Sequence, residues 1–119
     1  MACVLASCEG DQIDQADVMG EYHADVPAGI ATLVIKPDYT WEYRIEGSPD
    51  FVRSGKWAPE LGMSTPSIRV ITLDGFEFGF PLSDMDPQKP SFWPAQFSKD
   101  STGKARACIL DGEICFKHK

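Results

Sequence analysis

Apolar and polar residues alternate with period two along most of the chain, and turn-forming residues interrupt them at short intervals. This pattern predicts an all-β protein: a single antiparallel up-and-down β-barrel, or a strongly curved sheet, of about eight short strands with little helix. Two further observations agree. The chain has 119 residues, which is one domain by length, and folding at that size buries about 65% of the unfolded surface. Its 43% apolar content with seven Phe, three Trp and three Tyr suits an aromatic-rich core, and ten Gly and nine Pro supply turns. Closure into a barrel would also remove the edge strands that invite aggregation. A two-sheet sandwich is the alternative architecture.

The net charge of −7 argues against nucleic acid as a partner, because phosphate binding requires a basic face. Glu9, Asp11, Asp14, Asp17 and Glu21 all precede the first basic residue, Lys36. Residues 9–19 therefore read as a solvated acidic tether, with one helical turn around residues 14–19. The expected division is a leader and tether over 1–19 and a β-domain over 20–119.

The elements follow in order. Gly20 to Val26 is the first strand, turned by Pro27-Ala28-Gly29, and Ile30 to Lys36 is the second. Thr40 to Glu46 is the third. A three-residue loop, Pro37-Asp38-Tyr39, pairs Leu33 with Tyr43, Ile35 with Trp41 and Ala31 with Ile45 on one face, with Val34 against Glu42 on the other. A two-residue loop would mix apolar and charged residues on both faces. The three-residue loop places Tyr39 where a left-handed residue, usually Gly, is expected, at a cost of about 1 kcal/mol or more; a longer relaxed loop is the alternative. Gly47-Ser48-Pro49-Asp50 reads as the next turn, and Phe51 to Ala58 as the fourth strand.

Beyond the loop from Pro59 to Pro66, Ser67 to Leu73 and Phe76 to Phe80 read as a hairpin about Asp74-Gly75, with Leu73 meeting Phe76 and Ile71 meeting Phe78. Pro81 to Pro94 reads as a long irregular stretch whose Phe92-Trp93 folds back as a lid. Ala95 to Lys99 reads as a short edge strand. Lys104 to Leu110 and Glu113 to His118 form the last hairpin, about Asp111-Gly112. That hairpin places Cys108 opposite Cys115 on its outer face, within the range a disulfide spans. The six intervening residues exclude the short spacing of zinc and redox motifs.

At the start of the chain, Leu5-Ala6-Ser7-Cys8 resembles the lipobox of bacterial lipoproteins. The resemblance implies cleavage before Cys8, lipidation of its sulfur, and an address on the periplasmic side of the bacterial cell envelope. Met1 to Val4 departs from the pattern, lacking a basic region and a full apolar stretch. The expectation is a longer native signal or a gene start further upstream. Gly20-Glu21-Tyr22, Leu33 to Trp41, Ser54 to Trp57 and Ile71-Thr72-Leu73 together resemble small bacterial lipoproteins with lipocalin-like barrels. True lipocalins carry Gly-x-Trp where this chain has Gly20-Glu21-Tyr22, and they are longer. The resemblance implies a barrel with an apolar ligand and no catalytic residues.

Two arginines break the pattern. Arg53 shares a face with Phe51 and Trp57, and Arg69 with Ile71 and Leu73. An inward Arg is costly unless paired or stacked. One reading is an anion clamp at a barrel mouth, walled by Trp41, Tyr43, Trp57 and Phe78. The other is that both snorkel to water near strand ends, or that a bulge near Gly55 reverses the parity. Phe92, Trp93 and Phe97 either cap a barrel end or form a partner contact.

His23 and His118 are isolated, Asp84 and Asp86 lie in a Pro-rich loop with few other oxygen ligands, and Met63 and Met85 stand alone. No catalytic, metal or cofactor constellation emerges. The expectation is a non-enzymatic, lipid-anchored envelope protein with a binding role. Its partner is a small apolar or amphiphilic anion held in a cavity, or an envelope protein contacted by an inhibitor-like or accessory barrel with a filled core.

Overall fold

The computed structural model describes residues 12–27, 29–78, 92–109 and 112–119. Eight strands form a closed antiparallel barrel in sequence order: β1 (Gly20–Val26), β2 (Gly29–Ile35), β3 (Thr40–Ile45), β4 (Ser48–Pro59), β5 (Arg69–Asp74), β6 (Phe92–Lys99), β7 (Ala105–Ile109) and β8 (Ile114–His118). One turn of helix, α1 (Gln15–Val18), precedes them, and a 3-10 turn, Leu61–Met63, lies between β4 and β5. At eight strands a barrel interior is just wide enough for its own side chains to fill.

The β2–β3 hairpin has the register that the apolar pattern demands: Leu33 pairs with Tyr43, Ile35 with Trp41, Ala31 with Ile45 and Val34 with Glu42. Lys36 N–H donates to the Thr40 carbonyl across the loop, and Tyr39 takes φ 66°. Asp38 braces this loop by accepting from the Thr40 amide and hydroxyl at 3.2 and 2.5 Å. Those bonds hold its carboxyl below the usual carboxylate range.

Several expectations change beyond this hairpin. The turn between β3 and β4 is tighter than Gly47–Asp50, because Ser48 already pairs with Ile45. The register shifts between Arg44 and Ile45, so the irregularity lies there and not at Gly55. A further correction concerns β5. It does not form a hairpin with residues 76–80: Ile71 pairs with Ala95 and Leu73 with Trp93, so its partner is β6. Residues 76–78 are not in a strand, and residues 79 and 80 lie outside the described residues. Phe76 and Phe78 are 1% and 7% exposed and enter the barrel interior from a segment that is not a strand, instead of facing it from the wall. Consequently Phe92-Trp93 begins β6 instead of ending a lid, and β6 lies inside the closed barrel wall instead of at an edge. The Pro81–Ser91 part of the lid expectation lies outside the described residues.

The last hairpin pairs Ile109 with Ile114, Cys108 with Cys115 and Ala107 with Phe116, and Cys108 and Cys115 are joined by a disulfide with Cα atoms 4.0 Å apart. Leu110 and Asp111, expected at the turn of this hairpin, lie outside the described residues. The barrel closes where Tyr22 pairs with His118 and His23 with Lys117.

The segment ahead of β1 belongs to the core. Ile13 and Val18 are both fully buried, packed with the residues of the barrel interior. Ile13 N–H donates to the Pro66 carbonyl, the Tyr22 hydroxyl donates to the Val18 carbonyl at 2.5 Å, and His118 Nε2 lies 2.9 Å from the Met19 carbonyl. Residues 12–19 thus stopper the end of the barrel at which β1 begins, called the lower end below.

Candidate functional site

Of the residues expected to wall a ligand cavity, Trp41, Tyr43 and Phe78 come together around Phe76, while the Trp57 ring packs against Tyr39 with centroids 4.8 Å apart. Phe76 sits among them, with ring centroids 5.1 Å from Trp41, 4.6 Å from Tyr43, 4.9 Å from Phe78 and 5.1 Å from Trp93. Phe116 adds a further face, 5.6 Å from Trp93 and 6.1 Å from Tyr43. Tilted and edge-to-face contacts at such spacings are the favoured aromatic geometries, each worth about 0.5–1.5 kcal/mol beyond area burial.

The polar tips of these aromatics are satisfied inside the fold. Trp41 Nε1 donates to the Lys56 carbonyl at 3.1 Å, Trp57 Nε1 to the Lys36 carbonyl at 2.9 Å, and the Tyr43 hydroxyl to the Phe78 carbonyl at 2.8 Å. Burial pushes the Tyr43 phenol well above its usual pKa. It does the same to Tyr22, where the nearby Asp17 charge adds to the effect. Each tyrosine hydroxyl thus spends its proton within the fold.

Gly55 sets the position of this cluster. It pairs with Trp41 across the β3–β4 ladder, and the indole lies over it. A Cβ there would come within 2.7 Å of the Asp74 carbonyl oxygen and 2.8 Å of the Trp41 ring. Only a residue without a side chain lets β3, β4 and the end of β5 approach this closely.

The two arginines serve different partners. Arg53 lies opposite Tyr43, yet its guanidinium reaches outward over the Phe51 ring, 4.3 Å from its centroid, and pairs with Glu77 at 3.1 Å. Its side chain is 42% exposed. Arg69 donates from Nε and one terminal nitrogen to the Ile13 carbonyl, at 3.2 and 3.1 Å. Its role is to hold the N-terminal stopper in the lower end. Sequence parity locates both arginines but not these partners, because Ile13 and Glu77 lie 56 and 24 residues away.

The three aromatics singled out as a partner contact separate by burial. Phe97 is fully buried, with its ring 5.2 Å from Tyr22. Trp93 is half-buried in the interior cluster. Phe92, one position along, is 60% exposed at the opposite, upper end of the barrel. Ile30 is 43% exposed at the start of β2, also at the upper end.

Surface grooves among the described residues include two. One, of about 460 Å³, runs outside the β1–β8 seam and is lined by His23, Asp25, Ile30, Glu113, Cys115 and Lys117. Beside it Glu21 accepts from His23 at 2.7 Å, a bond that lowers the Glu21 pKa. The other, of about 400 Å³, lies at the lower end between Gln12–Asp14 and the 64–69 stretch. Among the described residues, no group of three or more His, Cys, Asp or Glu side chains is arranged to hold a metal ion. Cys8 lies outside the described residues. Ile13 and Val18 are structural residues that the sequence does not mark out, and Phe76 is legible there only as part of a strand. Ile13 and Val18 are isolated apolar positions in an acidic stretch, and Phe76 alternates with polar neighbours as a strand residue would. Compared with protein-family models, curated proteins and solved structures, the chain finds no match in any of the three.

Proposed function

We propose that this protein is a cell-envelope lipoprotein, anchored through Cys8, that works by contact with an envelope protein, with neither catalysis nor carriage of a small molecule. The observation that carries this reading is the interior. Phe76, Phe78 and Trp93 occupy the space that a ligand-binding barrel leaves open, and their neighbours' polar atoms are bonded within the fold. The disulfide is compatible with an oxidising compartment such as the envelope. With the interior occupied, recognition falls to the outer surface, where Phe92 at the upper end is the aromatic best placed to anchor a partner.

The test is binding of an amphiphilic anionic fluorophore, 1-anilinonaphthalene-8-sulfonate, to the native protein. No saturable binding is expected. Stoichiometric binding that Arg53→Gln or Arg69→Gln weakens would restore the anion-carrier reading. A photo-crosslinking residue in place of Phe92 is expected to capture a discrete envelope protein, and Phe92→Ala to abolish its association. The anchor is tested by fractionation: Cys8→Ala should move the protein from the membrane to the soluble fraction.

A further inference from the structure

Among the described residues six large apolar side chains are exposed, and three of them, Tyr39, Leu61 and Met63, lie on loops at the lower end, at 50%, 71% and 50% exposure. Tyr39 is in the β2–β3 loop; Leu61 and Met63 are in the 3-10 turn between β4 and β5. The two loops flank the end of β4, since Tyr39 accepts from the Trp57 amide and Leu61 follows Pro59 by two positions. Single exposed apolar residues are ordinary. What distinguishes these is where the chain leaves the barrel.

Ile13 is fixed to the same loop that carries Leu61 and Met63. Its N–H donates to the Pro66 carbonyl and its own carbonyl accepts from Arg69. The N-terminal segment therefore departs from the lower end at a set point beside this apolar rim. Only four peptide units separate Cys8 from Gln12, and four units span about 14 Å at full extension. An acyl group on Cys8 would keep the lower end within that reach of a lipid surface. No other end of the barrel could face the bilayer.

We infer that the rim formed by Tyr39, Leu61 and Met63 is a membrane-facing surface, seated in the polar–apolar interface of a lipid bilayer. The inference rests on the lipid-anchor reading above. Tyr39 has the amphipathic ring that suits this depth, and Leu61 and Met63 supply apolar side chains that lie otherwise in water. Asp38 and Glu60 border these side chains on the same end as Lys36 and Lys56, a mixed charge that suits zwitterionic headgroups. The orientation leaves Phe92, at the upper end, turned toward the envelope space.

The experiment uses the full chain, acylated and reconstituted into phosphatidylcholine vesicles with brominated acyl chains, in which nearby tryptophan is quenched. Leu61→Trp and, as a second position, Met63→Trp report on the rim. Val52→Trp, on the outer wall of β4 and 59% exposed, is the control. All three sites are half or more exposed, so the substitutions should leave folding intact. Wild-type protein supplies the background of the three native tryptophans. Quenching severalfold stronger at positions 61 and 63 than at 52 is the expected result. Mass spectrometry of the same preparation reports whether Cys8 is acylated. If it is not, the anchor reading fails by itself. The rim is then tested with Cys3→Ser protein coupled through Cys8 to a maleimide-headgroup phospholipid. Equal quenching at 52, 61 and 63 in either anchored form overturns the inference.

Discussion

Replacing Gly55 with alanine tests whether the interior is packed as described. The added methyl would meet a backbone oxygen at 2.7 Å and two atoms of the Trp41 ring at 2.8 and 2.9 Å. Neither neighbour is a flexible side-chain end. The Asp74 carbonyl is held in the β5–β6 ladder, and the Trp41 indole is fully buried with its N–H bonded to Lys56. Overpacking of this kind costs about 1–3 kcal/mol, and with two rigid neighbours the upper figure applies. Alanine recovers about 0.4–1 kcal/mol through the lower entropy of the unfolded chain, since Gly55 does not have positive φ. The net expectation is a loss of roughly 2 kcal/mol, or about 8 °C in melting temperature for a domain of this size. Gly62→Ala is the control, because a Cβ there meets nothing within 4 Å. It should be neutral or gain up to about 1 kcal/mol. Thermal and urea unfolding followed by far-UV circular dichroism and tryptophan emission provide the measurement. A Gly55→Ala protein that melts no lower than Gly62→Ala would refute the reasoning, and with it the claim that the aromatic cluster fills the barrel without slack.

Three other outcomes are expected. Replacing both Cys108 and Cys115 with alanine should cost about 2–3 kcal/mol in urea unfolding, the magnitude expected for so short a closed loop. Dithiothreitol should reproduce this in the wild type and leave the double variant unchanged; a wild type indifferent to reductant would contradict it. Stability should fall steeply above about pH 10, where the Tyr22 and Tyr43 phenols would ionise in the unfolded chain but are kept neutral by burial in the folded one. Their raised pKa means that the folded state binds more protons there, so stability is intact below the unfolded value and is lost as pH rises, by about 1.4 kcal/mol per unit for each tyrosine. Absorbance at 295 nm should show Tyr22 and Tyr43 ionising only with unfolding, and free titration of these two in folded protein would sink the point. Arg69→Gln removes the two-point grip on the Ile13 carbonyl and should destabilise by about 1–3 kcal/mol. Amide hydrogen exchange should then speed up at Ile13 and Val18 before it does in β6, whereas unchanged exchange at Ile13 would assign the stopper's hold to other contacts.

By itself the sequence determined what short-range chemistry determines. Period-two alternation specifies strands, and for β2 and β3 the requirement that one face be apolar selects a single register, down to the left-handed Tyr39. The same local logic places Cys108 opposite Cys115, because a hairpin's pairing follows from its own turn. Tertiary structure decided what depends on which distant segments come into contact. β5 pairs with β6 and not with the adjacent Phe76–Phe78, which fill the barrel interior even though a local hairpin would have the shorter connection. Ile13 and Val18 look like parts of a solvated acidic leader until the open lower end of the barrel supplies a place to bury them. Arg53 and Arg69 are legible as misfits on apolar faces, but their meaning depends on Glu77 and on the Ile13 carbonyl. Whether the aromatics line a cavity or fill it is also a tertiary property. Alternation reports which side chains point inward, while the space left between them depends on strand number, closure and the chain that enters from Phe76 to Phe78.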